Sequence, residues 1–123
     1  MKTRPMEIVA WLLLIVAPLV VYAVGMRMIP EGVTEVPLHW NGAGQVDRWG
    51  APSEMLFLPL VFMGANVLLA LVYLFAEKLS QMGLLNGTVK GGRTLMLFIG
   101  VFDVVLCAGI MAFAIRQALE ALG

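Results

Sequence analysis

Long uninterrupted stretches of apolar residues dominate this chain. Three of them, residues 8–26, 55–76 and 95–115, contain 19, 22 and 21 residues, and Asp103 is the only formal charge within them. A bilayer core roughly 30 Å thick is spanned by about 20 residues of α-helix. The pattern therefore predicts an all-α integral membrane protein built as a bundle of three transmembrane helices.

The same pattern predicts the order of elements. We expect a single membrane domain, residues 1–123, in which an ordered extracellular loop joins the first two helices. The expected bounds are about 6–28 for helix 1, 29–51 for the outer loop, 52–77 for helix 2, 78–92 for the inner loop and 93–120 for helix 3. Within the inner loop, a short amphipathic segment around residues 78–85 is expected at the membrane interface.

Composition agrees with a lipid environment and argues against several classes of function. The 123 residues are 61% hydrophobic and 13% charged, whereas soluble domains carry about 25% charged residues. The formal net charge is zero, so nothing indicates nucleic-acid binding. Cys107 is the only cysteine and cannot form an internal disulfide. No HExxH, CxxC or GxSxG sequence is present, and we expect neither an enzyme nor a cofactor.

The distribution of lysine and arginine predicts the orientation in the membrane. With a cytoplasmic N-terminus, five basic residues lie on the inner side and three on the outer side, as the positive-inside rule favours. The inner residues are Lys2, Arg4, Lys78, Lys90 and Arg93, and the outer ones are Arg27, Arg48 and Arg116. The segment 27–54 is therefore expected to be extracellular, in the inner membrane of a bacterium.

Polar, aromatic and small residues recur at helical spacing along each apolar stretch. Such faces are expected to turn inward, because polar groups are costly against lipid and small residues allow close packing. The faces comprise Glu7, Trp11, Pro18, Tyr22 and Gly25 in helix 1, Pro59, Asn66 and Tyr73 in helix 2, and Gly100, Asp103, Cys107 and Ala114 in helix 3. A packed bundle explains them, and an interior site or a proton-sensitive polar cluster is the alternative.

Three of these residues make specific demands on their neighbours. Pro18 and Pro59 lack an N–H, so each frees a backbone carbonyl that needs another partner inside a membrane. Asp103 is an intramembrane acid, which is a functional candidate by default. Its expected partners are Asn66 and Tyr22, within the bundle or across a dimer. Whether Asp103 is structural or carries protons stays open at this point.

The loop between the first two helices reads as a short β-hairpin. Pro37 favours an extended conformation before it, so residues 36–40 can form a strand. Residues 41–44, Asn-Gly-Ala-Gly, tolerate a chain reversal, and residues 45–49 can return beside the first strand. The candidate ligand-binding residues of this loop are His39, Trp40, Asn41, Asp47, Arg48 and Trp49.

Three interpretations of the loop residues compete. The first is a rigid turn in which Asp47 accepts backbone N–H bonds and pairs with Arg48 or His39. The second is recognition of a ligand. A metal site is the third, but one His, one Asp and one Asn are too few for a typical zinc site, so we expect none.

At these residues the chain resembles a known family. The sequence Pro-x-His-Trp-Asn-x-x-Gly-x-x-Asp-x-Trp-Gly, starting at Pro37, is similar to the N-terminal domain of unknown function of bacterial SdpI-like membrane proteins. That family includes the immunity protein against the sporulation-delaying toxin. The resemblance covers residues 1 to about 76 and departs from the family at Ala51 and Pro52. The immunity protein has six helices where this chain has three, and the family offers no catalytic role for the motif residues.

Together these observations predict a non-enzymatic protein that senses or binds an extracellular ligand through the loop. A peptide is the expected kind of ligand, and the resemblance implies a part in toxin immunity or signalling. The alternatives are a structural subunit of a membrane complex and an oligomeric proton-coupled carrier that uses Asp103. Expected partners are the lipid bilayer and a second copy of the chain, as a homodimer or larger oligomer.

Overall fold

A computed structural model describes residues 3–122, so Lys2, counted above among the inner cations, lies outside the described residues. The three expected spanning helices are present, and a small β-hairpin joins the first two. The elements are α1 (Pro5–Met28), β1 (Val36–Trp40), β2 (Val46–Gly50), a 3-10 helix (Pro52–Leu56), α2 (Phe57–Leu74), α3 (Ala76–Gln81) and α4 (Val89–Leu122). The membrane fold predicted from hydrophobic runs is confirmed.

Two of the expected helix bounds differ from the structure. Helix 2 was expected as one piece over 52–77, but it starts as a 3-10 turn, becomes α2 and breaks at Phe75 before α3. Helix α4 starts at Val89 and has 34 residues, which is roughly 51 Å at 1.5 Å per residue. It is therefore much longer than a bilayer core, and its last turns extend past the apolar stretch to meet the hairpin.

The buried residues named next lie on the faces predicted from helical spacing, and three further members of those faces, Glu7, Tyr22 and Asp103, are only partly buried. Helix α1 buries Trp11, Pro18 and Gly25, α2 buries Pro59, Asn66 and Tyr73, and α4 buries Gly100, Cys107 and Ala114. Helices α1 and α4 run parallel and in close contact: a Cβ on Gly100 would lie 3.1 Å from the Trp11 ring, and one on Gly25 would lie 2.8 Å from the Met111 side chain. Glycine at both positions lets the two backbones approach.

Asn66 supplies the partner that Pro18 requires. Pro18 cannot donate to the carbonyl of Leu14, and the Asn66 side chain crosses from α2 to donate to that oxygen at 2.8 Å. The same amide nitrogen lies 3.4 Å from the carbonyl oxygen of Gly100. One fully buried asparagine thus joins all three spanning helices, and it confirms that the carbonyl freed by Pro18 is satisfied by a neighbour.

The core has two parts, one at each end of the bundle. At the α3 end, Trp11, Ala70, Tyr73 and Met96 pack together. At the hairpin end, the buried cluster combines α4 with the segment between α1 and α2, and its members are Val33, Val36, Leu38, Met55, Met111, Ala114, Ile115 and Ala118. The hairpin is therefore part of the core of the protein.

Candidate functional site at the hairpin end

The hairpin is an antiparallel pair of five-residue strands, as expected from the sequence. Val36 pairs with Gly50 and Trp40 with Val46, with irregular register between these pairs. The return strand starts at Val46, one residue later than expected, because the side chain of Asn41 draws residue 45 into the turn. Burial falls mainly on β1, whose first three residues are buried, while β2 is exposed over its central residues.

Trp40 fastens the hairpin to the last turns of α4. Its indole Nε1 donates to the Gln117 side-chain oxygen at 2.7 Å, and its ring lies 5.9 Å from that of Phe113. Val36 and Leu38 fill the space between β1 and the helix. The contact between the hairpin and α4 is therefore both apolar and hydrogen-bonded.

Asn41 builds the turn. Its side-chain oxygen accepts from the backbone N–H groups of Ala43 and Gln45, both at 3.0 Å. Gly44 follows in a left-handed conformation, with φ of 79°, and donates to the Asn41 carbonyl. The acceptor of Asn41 is thus already engaged within the loop, and its role in this structure is to shape the turn.

His39 and Asp47 form a pair on the exposed face of the hairpin. The His39 Nδ1 lies 2.6 Å from an Asp47 carboxylate oxygen, and the two side chains are 66% and 42% exposed. Of the partners considered for Asp47, the structure has His39 and not Arg48. No hydrogen bond from a backbone N–H of residues 3–122 to Asp47 is found, so that part of the rigid-turn interpretation is wrong.

Arg48 pairs with Glu54 instead. Its guanidinium lies 3.9 Å from Glu54, whose other carboxylate oxygen accepts from the backbone N–H of Ala51 at 2.7 Å and so begins the 3-10 helix. Gly50 lies between them, and a side chain there would collide with Glu54 and Leu38. This close packing explains a glycine after Trp49 without reference to a ligand.

Trp49 lies apart from Trp40 and lines a different part of the surface. Its side chain is 40% exposed and forms one wall of a groove of 250 Å³ between the hairpin and the end of α4. The remaining lining residues are Val33, Thr34, Glu35, Ala118, Ala121 and Leu122. The six candidate loop residues are thus divided between the turn, the contact with α4, the exposed His39–Asp47 hydrogen bond, the exposed Arg48–Glu54 pair and this groove.

Among residues 3–122, no group of three or more His, Cys, Asp or Glu side chains is close enough to hold a metal ion. The exposed part of the hairpin presents the His39–Asp47 and Arg48–Glu54 contacts and the Trp49 side chain.

Within the membrane-spanning part, the three predicted polar residues do not bond to one another. Asp103 is partly buried, and neither Asn66 nor Tyr22 forms a hydrogen bond with it inside the described chain. The amide nitrogen of Asn66 instead donates to the carbonyl of Leu14, which Pro18 leaves free. The Asn66 side-chain oxygen is buried without a hydrogen-bond partner. The expectation of an Asp103–Asn66 pair within one chain is thus wrong.

Sequence reasoning missed a buried cation at the opposite end of the bundle. Arg93 is only 4% exposed. Its Nε donates to the carbonyl of Tyr73, and its Nη2 lies 3.2 Å from the Thr3 hydroxyl. Its guanidinium group also lies 4.9 Å from the centre of the Tyr73 ring. From the sequence, Arg93 is expected at the start of helix 3 as an inner-side cation, and its burial was not predicted. Its spacing from Met96 and Gly100 places it on the inward face of α4, and that spacing was the available signal.

Comparison with known proteins adds one similarity. Residues 13–63 match a family described as a domain of unknown function, DUF1648. The matched segment includes most of α1, the complete hairpin and the first turns of α2, and it is less than half of the chain. No curated protein and no solved structure matches the chain.

Proposed function

We propose that this protein is a non-enzymatic receptor-like component of a bacterial inner membrane that binds an extracellular ligand through its hairpin. The ligand class is a membrane-active peptide, and the role is immunity or signalling. The observation that supports the proposal best is the attachment of the hairpin to α4 through Trp40 and Gln117. A surface held in one conformation loses little entropy on binding.

The orientation is part of the proposal. A cytoplasmic N-terminus places the hairpin outside the cell, where a peptide approaching the membrane meets it first. The basic residues favour this direction by five to three. The exposed groups on the hairpin are then available at the level of the lipid head groups.

The contact between hairpin and helix gives binding a route into the membrane. Phe113 and Gln117 belong to the same helix as Asp103, and no break separates them. A ligand that changes the position of the hairpin would therefore bias the packing of α4 against α1. The energy available is the difference in ligand affinity between the two packings.

The native tryptophans supply a test, because they report on three places. Trp11 is 3% exposed in the bundle, Trp40 lies at the anchor and Trp49 is on the exposed strand. The protein is labelled with 5-fluorotryptophan, assigned through Trp40→Phe and Trp49→Phe, and placed in nanodiscs. It is then titrated with two amphipathic peptides of equal length, one rich in lysine and one rich in glutamate. We expect at least one to shift the ¹⁹F signals of Trp40 or Trp49 saturably.

Two results would contradict the proposal. One is the absence of any shift at Trp40 and Trp49 with both peptides. The other is a shift confined to Trp11, which would place binding inside the bundle.

A structural subunit is the second candidate function. Between the hairpin-side halves of α1 and α4 lies an apolar groove of 680 Å³, which includes Gly25, Ala108 and Ala112. A helix from a second copy or from another subunit would fit such a surface. Cross-linking through Ala112→Cys, in a Cys107→Ala background in native membranes, tests the homodimer.

A further inference from the structure

The groove beside Trp49 has the chemistry of a site for one cationic side chain. Its floor is apolar, formed by Ala118, Ala121 and Leu122, and its aromatic wall is the Trp49 side chain. Its rim contains one carboxylate, Glu35. Glu35 is exposed and has no hydrogen bond or ion pair with any residue of the described chain.

The size of the groove limits what can enter it. Its volume is 250 Å³, whereas pockets for complete small molecules occupy roughly 300–1,000 Å³. A single long side chain fits this space better than a whole ligand. Arginine and lysine have an apolar stem and a charged head, so they can cover the floor while the head meets Glu35.

The charges around the groove favour a cation. At the hairpin end, Arg48 pairs with Glu54, Arg116 pairs with Glu120 at 3.0 Å, and His39 contacts Asp47. The described residues of this end carry five carboxylates and three guanidinium groups, which is a net charge of −2 with His39 neutral. The carboxylates are Glu31, Glu35, Asp47, Glu54 and Glu120, and the guanidinium groups are Arg27, Arg48 and Arg116. A positively charged partner is attracted to this surface.

We propose that the groove receives an arginine or lysine side chain of the extracellular peptide, with its head between the Glu35 carboxylate and the Trp49 ring. This inference rests on the proposed function. It adds Glu35, which was not among the candidate residues predicted from the sequence, as a binding residue. Arginine is preferred over lysine, because its planar guanidinium stacks on an indole and pairs with a carboxylate at the same time.

The test uses a defined probe, acetyl-Val-Arg-Val-Arg-Val-Arg-amide, and an analogue in which citrulline replaces each arginine. Citrulline keeps the shape and loses the charge. Nanodiscs of zwitterionic phosphatidylcholine prevent adsorption of the peptide to anionic lipid. Binding is followed through the ¹⁹F signals of Trp49 and Trp40 in the fluorotryptophan-labelled protein.

We expect the arginine peptide to shift Trp49 saturably and the citrulline peptide to bind at least about fivefold more weakly, as for one exposed ion pair with an aromatic contact. Glu35→Gln should weaken binding of the arginine peptide by a similar factor. Glu31→Gln is the matched control, because it removes the same charge from an exposed position on the same loop that does not line the groove. This variant should lose much less affinity for the arginine peptide than Glu35→Gln does. Unchanged ¹⁹F dispersion in the free variants shows that they are folded.

The outcomes separate this inference from the proposed function. The proposed arginine site in the groove is wrong if the arginine and citrulline peptides bind with equal affinity. It is also wrong if Glu35→Gln and the native protein bind the arginine peptide equally well. In both cases the hairpin still binds a peptide, so the proposed function stands. If the arginine peptide causes no ¹⁹F shift but either amphipathic peptide does, the arginine site is likewise wrong and the proposed function stands. If no peptide shifts the ¹⁹F signals of Trp40 and Trp49, both the proposed function and the arginine site are wrong.

Discussion

At the scale of single residues, Asn66 has the clearest physical role. A buried asparagine in a membrane is costly unless its amide is bonded, and here it donates to the carbonyl that Pro18 leaves free. The proline and the asparagine therefore compensate one another across two helices. Neither residue is readily explained alone, because each creates a polar group that the other satisfies.

This relationship makes a prediction about coupling. Asn66→Ala should lower the free energy of unfolding by about 1–2 kcal/mol, since it leaves the Leu14 carbonyl unpaired. In a Pro18→Ala background, residue 18 regains an N–H that can bond to Leu14, so the same change should cost about 1 kcal/mol less. The four proteins are compared by reversible unfolding in detergent. Strictly additive costs would contradict the compensation.

At the scale of elements, the contact between the hairpin and α4 determines the stability of the hairpin. An isolated two-stranded hairpin is marginally stable in water, yet Val36 is fully buried in this one. Stability of the hairpin comes from its packing on α4 and from the bond between Trp40 and Gln117. The hairpin is therefore held in place by the C-terminal part of α4.

Removal of the Trp40 indole N–H tests the contact between the hairpin and α4. Trp40→Phe keeps a ring against Phe113 and removes the indole N–H, which should destabilise the docked hairpin by about 1 kcal/mol. Hydrogen exchange of the amides in 36–50 should then be about fivefold faster, if exchange requires release from α4. Trp49→Phe is the control, because the Trp49 indole makes no hydrogen bond with the described residues. Equal acceleration in both variants would contradict the anchor.

The elements also show how far sequence reasoning reached. Hydrophobic length and helical spacing predicted the three spans and their inward faces, because both depend only on local periodicity. Pro37 and the Asn41–Gly44 turn predicted the hairpin for the same reason. The contact of Trp40 with Gln117, 77 positions away, was not predictable, because spacing gives no information on which helix ends meet. The burial of Arg93 was not predicted, because a cation at the end of a spanning helix is ordinarily expected to be exposed at the interface.

At the scale of the whole molecule, polar chemistry is concentrated at the two ends of a lipid-facing bundle. Only about a fifth of each spanning helix, between 17% and 22% of its most apolar segment, is buried inside the protein. The remaining surface faces lipid or other proteins. Function is therefore expected at the hairpin end, at the Arg93 end or along a helix face that binds another subunit.

The proposed function depends most on which side of the membrane carries the hairpin, since an extracellular peptide can reach it on one side only. Single cysteines are introduced by Gly42→Cys, where a side chain meets no atom within 4 Å, and by Asn86→Cys, an exposed position between α3 and α4. Both are made in a Cys107→Ala background and treated with an impermeant maleimide in intact cells. We predict labelling at position 42 and, at position 86, labelling only after permeabilisation. Labelling of position 86 but not 42 in intact cells would contradict the extracellular hairpin and the function built on it.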